Sequence, residues 1–139
     1  MAKTVSGKES VKDNATTRAE PAFFYLLTYH AINLPVKEHM GIPGRKYRFD
    51  YAWLTEKVAV EIQGGVYTKH AHGSITGILA GYRKANECAK YGWRVLYFTP
   101  AEMKLTDTVK TIKAALEWKE PKSLKPKKSS LKSSSSEEL

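Results

Sequence analysis

The chain has 139 residues, enough for one domain with a sizeable core, and 42% of them are hydrophobic, as in a globular domain carrying a polar appendage. No apolar run approaches the roughly 20 residues a membrane-spanning helix needs, so no membrane role is expected. A single cysteine, Cys88, excludes an internal disulfide and a cysteine-based zinc site, while the formal charge of +9 favours an anionic partner. Met1–Glu20 lacks the apolar segment of a signal peptide, and a cytoplasmic protein is expected.

Residues 1–16 read as a flexible N-terminus. Thr17-Arg-Ala-Glu20 has the pattern of a capping box, with Pro21 tolerated in a first helical turn. Phe23, Phe24, Leu26, Leu27, His30 and Ala31 then give a helical apolar face to about Ile32, ended by Asn33-Leu-Pro35. A short extended segment, Val36–Met40, leads to the turn signal Gly41-Ile-Pro-Gly44. Lys46–Trp53 alternates with period two, which sets Tyr47, Phe49, Tyr51 and Trp53 on one face and Arg48, Asp50 and Ala52 on the other. Thr55-Glu56 is a tight connection to the strand Val58–Ile62, which Gly64-Gly65 ends.

Tyr67–Thr76 reads as a polar loop holding Lys69, His70 and His72. Ile78–Tyr91 is a helix with Gly92 in C-cap position, Trp93–Phe98 a buried strand broken by Pro100, and Asp107–Trp118 an amphipathic helix. The order is helix, three-strand meander, helix, strand, helix: an α/β (α+β) domain over residues 17–118, in which the long crossover lets the last strand run parallel to another. Residues 119–139 form a Lys- and Ser-rich tail too poor in apolar side chains to fold, which serves either as a solubilising extension or as a nonspecific nucleic-acid contact.

Asp50 and Glu61 stand out, because both are acids inside apolar, aromatic strands. An ionised carboxylate in such a setting is paired, protonated or bound to metal, since burying it alone costs several kcal/mol or more. On adjacent strands the two can approach one another, and a hard divalent cation between them would relieve their repulsion. The other reading pairs Asp50 with Arg48 or Arg45 and Glu61 with a lysine at a strand edge. The residues alone leave both open.

Taken together, Glu20 at the start of the first helix, Arg45-Lys-Tyr-Arg-Phe-Asp-Tyr-Ala-Trp53, Val60-Glu-Ile-Gln-Gly-Gly65, His72, Lys84-Ala-Asn-Glu-Cys-Ala89 and Gly92-Trp-Arg-Val-Leu-Tyr-Phe98 resemble the PD-(D/E)XK nuclease superfamily. The likeness is to small phage and bacterial endonucleases of the VRR-NUC kind and covers roughly Glu20 to Met103. It implies a restriction-endonuclease-like core and a metal-dependent DNA endonuclease, in the cytoplasm of the host if the chain is phage-encoded. The resemblance assigns Asp50, Glu61 and the backbone carbonyl of Ile62 to a catalytic Mg²⁺ or Mn²⁺, with Glu20 as a third acid acting directly or through water. It makes Arg45, Lys46 and Arg48 phosphate contacts that position DNA without reading its sequence, with Lys69, His72 and Lys84 as further contacts. Small members of this kind are often homodimers that cut branched DNA such as four-way junctions.

The chain departs from the family pattern at two positions. Gln63 stands where a lysine is usual; glutamine orients water by hydrogen bonds but supplies no charge, which Lys69 or Lys84 would then have to bring from another element. Gly81 falls where relatives carry an acid, which thins the ligand set for a second metal. These departures also fit an inactive nuclease fold retained as a DNA-binding or scaffolding module. A basic RNA-binding protein is a third reading, and it leaves the acids within the strands unexplained.

Overall fold

The computed structural model describes residues 11–64 and 75–124. Helix α1 spans Val11–Tyr29, so it begins upstream of the expected capping box and takes in part of the segment expected to be flexible. Thr17 is therefore an interior residue, and Pro21 lies mid-helix rather than in a first turn. The physical reason is that Val11–Thr16 contains neither glycine nor proline to stop a helix. Ala19, Phe23 and Leu27, each four residues on from the last, form the buried line of α1. The helix ends before Asn33-Leu-Pro35, in a Schellman closure: Ile32 N–H donates to Leu27 O at 2.9 Å and Ala31 N–H to Thr28 O at 3.0 Å, with Ala31 at φ 57°.

Four strands follow the expected order: β1 Val36–His39, β2 Phe49–Trp53, β3 Val58–Ile62 and β4 Arg94–Phe98. They form one sheet in the order β1-β2-β3-β4, with β1/β2 and β2/β3 antiparallel and β3/β4 parallel. The parallel pair is made possible by the crossover through α2, Ile75–Lys90. Helix α2 closes as its sequence suggests, with Gly92 at φ 80°, Trp93 N–H on Cys88 O at 2.9 Å and Gly92 N–H on Ala89 O at 3.0 Å. A short 3-10 turn, Ala101–Lys104, and helix α3, Thr106–Glu117, complete the domain; Arg94 covers the ring of Trp118 at its end, 5.4 Å from the ring centroid. The expected flexible N-terminus and disordered tail fall largely outside the described residues. Among those described, no helix is long and apolar enough to cross a membrane.

The sheet has a core on each face. Tyr51, Trp53, Val58, Val60 and Ile62 pack with Phe23 and Leu27 of α1, Val109 and Ile112 of α3, and Met103. On the other face Phe49, Ala52 and Ala59 pack with Ile42, Trp93 and Cys88 of α2. Strand β3, at the centre, is buried along its whole length. Two expectations need correction. Tyr47 and Phe49 do not share a face with Tyr51 and Trp53: they join the α2 side. The alternation breaks at Asp50, where Glu38 on β1, opposite it, takes the left-handed φ of 52°, and where the registered β2/β3 pairs stop at Tyr51–Val60. Secondly, β4 is only half-buried, with Tyr97 53% exposed, because it lies at one edge of the described sheet.

Gly41 is required by close approach. Its carbonyl accepts from Trp93 Nε1 at 3.2 Å, and a Cβ built there would lie 2.8 Å from Trp93 Cζ2 and 2.9 Å from Phe49 Cε2. Gly41→Ala should therefore strain both rings and lower stability by about 1–3 kcal/mol. Urea-unfolding midpoints of the two proteins measure this, and an unchanged midpoint would mean that Trp93 has room to shift.

Candidate active site

The site forms where β2 and β3 part. If their register continued past Tyr51–Val60, Ile62 would face Phe49; instead the Ile62 N–H donates to Asp50 Oδ2 at 2.6 Å. A buried N–H must find an acceptor, and the Asp50 carboxylate takes the place of the missing backbone carbonyl. The next N–H, of Gln63, goes the other way, to Phe98 O at 2.7 Å on β4. Backbone groups of successive strand residues alternate in direction, so the Ile62 carbonyl lies on the β2 side of β3, as its N–H does. Asp50 thus touches the end of β3 through the Ile62 N–H.

Glu61 occupies the opposite face. It is 5% exposed, and Lys84, projecting from α2, places Nζ 2.6 Å from its Oε1. The same ammonium lies 5.8 Å from the centroid of the Tyr47 ring. This is a charge-assisted hydrogen bond at a partly desolvated site, and losing one partner leaves the other charge inside the fold. The lysine partner comes from a helix, not from the strand edge where a pairing was sought. Gln63, exposed just past β3, is two residues on from Glu61 and so on the same side of the strand.

Glu20 is held elsewhere. Its Oε1 accepts from Tyr51 Oη at 2.9 Å, and Lys37 Nζ lies 2.9 and 3.0 Å from its two oxygens. Glu20 and Asp50 line one cleft on the α1 side, with Thr16, Thr17, Lys37, Glu38 and Tyr51. Glu61 is not part of that cleft. The described residues therefore join Glu20 to Asp50, and Asp50 to the end of β3, without gathering the three acids at one point. No group of three or more histidines, cysteines or acids among them is arranged to hold a metal. Asp50, Glu61 and the Ile62 carbonyl are hard oxygen donors of the chemical kind that Mg²⁺ and Mn²⁺ take, with water and phosphate filling the rest of the shell.

Arg45, Lys46 and Arg48 are exposed on the connection from β1 to β2. Arg45 faces α2 across a groove lined also by Tyr47, Ala80, Arg83, Asn86 and Glu87. A side chain at Gly81 would meet nothing within 4 Å, so crowding does not account for the missing acid there. Lys69 and His72 lie outside the described residues. Glu38 was missed by sequence reasoning, and no signal marked it: Val-Lys-Glu-His reads as an ordinary edge strand, and a left-handed φ at a glutamate leaves no trace in composition. Arg83 was missed as one more exposed helical arginine. Comparisons with protein-family models, curated proteins and solved structures gave no match to this chain.

The cleft has a pH signature. Burial, reinforced by the hydrogen bond and charge of Glu20, pushes the Tyr51 phenol well above the ordinary tyrosine value. Burial likewise raises Tyr97 and Cys88, with the charge of Glu61 adding to both and that of Lys84 opposing. Each group keeps its proton in the fold after the unfolded chain would lose it. Their stabilisation is complete below the unfolded values, about 8.5 for cysteine and about 10 for tyrosine, and is lost as pH rises beyond them. Tyr51→Phe should make the loss of stability above about pH 10 shallower, read as urea midpoints over a pH series; an unchanged alkaline slope would show that Tyr51 does not carry it.

Proposed function

We propose that this protein is a metal-dependent DNA endonuclease of the PD-(D/E)XK type, built on a restriction-endonuclease-like core and acting in the cytoplasm, that of the host if phage-encoded. The observation that carries the reading is the contact of Lys84 with Glu61, at 2.6 Å, beside a strand end that Asp50 also touches. The motif carries glutamine where its relatives have lysine, and an ammonium from α2 stands beside the motif's glutamate instead.

Asp50, Glu61 and the Ile62 carbonyl would hold Mg²⁺ or Mn²⁺. A cation held there would supply water activation and stabilisation of the charge building on the phosphate. Lys84 adds a positive charge from the helix side, with three donors free to turn from the carboxylate toward a nonbridging phosphate oxygen. Gln63, exposed on the same side as Glu61, orients the attacking water through its amide. Glu20 is fixed by Tyr51 and Lys37 and acts on the site through Asp50's cleft, as a water-mediated third acid. Arg45, Lys46 and Arg48 hold backbone phosphates without sequence readout, so any selectivity is for DNA shape, such as branched DNA or a four-way junction. A homodimer is supported by α2, whose Ile75, Ile78, Leu79 and Tyr82 are exposed at i, i+3, i+4 and i+7.

A second reading, an inactive nuclease fold that binds DNA, is favoured by the same pair: Lys84 already neutralises Glu61, and no three-acid group is present among the described residues. One experiment separates the two. Supercoiled plasmid, linear duplex and a four-way junction are each incubated with Mg²⁺, Mn²⁺ or EDTA. Cleavage in either metal and none in EDTA is expected, abolished by Asp50→Asn or Glu61→Gln while DNA binding persists. Lys84→Ala should slow cleavage roughly 100-fold, the effect of removing one preorganised charge-stabilising donor, and Gln63→Ala less. Activity within a few-fold of wild type in Asp50→Asn or Glu61→Gln would remove the metal-site assignment. Binding without cleavage under every condition would establish the inactive module.

A further inference from the structure

The groove between the β1–β2 connection and α2 presents cations on both walls. Arg45 and Tyr47 stand on one side and Arg83 and Asn86 on the other, and both arginines and Asn86 are exposed. Lys46 and Arg48 continue the positive charge along the connection. Lys84 ties the groove to Glu61, since its ammonium contacts the Glu61 carboxylate at 2.6 Å and lies over the Tyr47 ring at 5.8 Å. One lining residue is acidic, Glu87, and its carboxylate lies 4.0 Å from Lys90.

We infer that this groove, lined by Arg45, Tyr47, Arg83 and Asn86, holds the phosphate backbone of one nucleic-acid strand as it runs past the Lys84–Glu61 pair. A small anion is bound by buried donors converging on one point; here the guanidinium groups are exposed and carried on separate elements across an open groove, which suits a repeating anion. Guanidinium groups take phosphate oxygens in pairs of hydrogen bonds, so Arg45 and Arg83 would each engage a phosphate. Asn86 offers donor and acceptor together, which suits a sugar hydroxyl, a base edge or a phosphate between them. Glu87 opposes the backbone and limits affinity. The inference rests on the proposed activity only for what lies beside the groove; the binding itself needs no reaction.

The test therefore uses the full chain in EDTA. Affinity for a labelled single-stranded oligonucleotide and for its duplex is measured over a salt series, for the wild type and for Arg83→Gln, Arg45→Gln, Asn86→Ala and Glu87→Gln, all checked for wild-type unfolding midpoints. Each arginine variant should bind the single strand several-fold more weakly and lower the log–log salt slope by about 0.7, the contribution of one neutralised phosphate. Asn86→Ala should weaken binding with the slope unchanged, and Glu87→Gln should strengthen it. Wild-type affinities and slopes in both arginine variants would overturn the assignment. So would polyglutamate competing as well as the oligonucleotide, which would make the groove an acidic-peptide site. The activity is judged separately: Arg83-dependent binding by a chain that cuts nothing removes the nuclease reading and leaves the groove, whereas cleavage alongside unaffected arginine variants removes the groove and leaves the nuclease.

Discussion

The constraint on which this domain turns is a carboxylate on its central strand. β3 is covered on both faces, and Glu61 is buried with its neighbours. An isolated charge there would cost about 3–5 kcal/mol, a large share of a total stability of only about 5–15 kcal/mol. Lys84 removes that cost, and in doing so it fixes α2. The helix has little else to dock with: of its described side chains only Cys88 is buried, and its larger apolar residues point outward. Its seat on the sheet is set by the Lys84–Glu61 contact, by Cys88 packing against the Trp93 side, and by the closure at Gly92.

A buried ion pair is a poor way to gain stability. Well-packed apolar residues of the same volume are often as good or better, because neither charge then has to leave water. A methionine and a leucine in place of Lys84 and Glu61 would dock α2 at least as well. The pair therefore seats α2 without being the most stabilising way to do so. A similar argument applies to Asp50, which does work that a continued β ladder would do with backbone alone. The strands part at Tyr51–Val60, Glu38 adopts a left-handed φ opposite Asp50, and Phe49 turns to the other face. A non-glycine residue held at φ above zero stores strain of order 1–3 kcal/mol, which the surrounding structure must hold in place. Here the distortion takes the Ile62 N–H out of strand pairing and gives it to the Asp50 carboxylate.

Much of this was legible from the residues, and the reasons differ from element to element. The span of β3 follows from a continuous apolar run ended by glycines, and the close of α2 from a glycine where a left-handed residue is needed. The antiparallel meander with a final parallel strand follows from connection lengths. The start of α1 was misplaced because a good capping pattern at Thr17 is a local signal, and propagation through Val11–Thr16 overrode it. The face of Phe49 was misplaced because strict alternation assumes an unbroken ladder, and nothing in Phe-Asp-Tyr announces that the ladder stops there. At the site, the pairing of Asp50 with Ile62 and of Glu61 with Lys84 depends on contacts 12 and 23 residues apart, which no local pattern encodes. Lys84 and Lys69 are equal candidates in the sequence; folding puts Lys84 at the carboxylate, and Lys69 lies outside the described residues.

The exchange between Gln63 and Lys84 makes chemical sense when position in space is separated from position in sequence. What a phosphate displacement asks of its surroundings is a positive charge near the oxygens where negative charge grows, held there before the reaction begins. In an acid-x-lysine strand that charge comes from two residues on, along the same face as the glutamate. On the proposed reading, a helix crossing above that face would deliver it from the side, through Lys84. The supply has a cost: a lysine on a strand is fixed by the sheet, whereas Lys84 is only as well placed as α2. It would also bring a gain, because position 63 would need no charge and could carry an amide, which donates and accepts at once. A water held by such a group would have its proton and lone pair oriented.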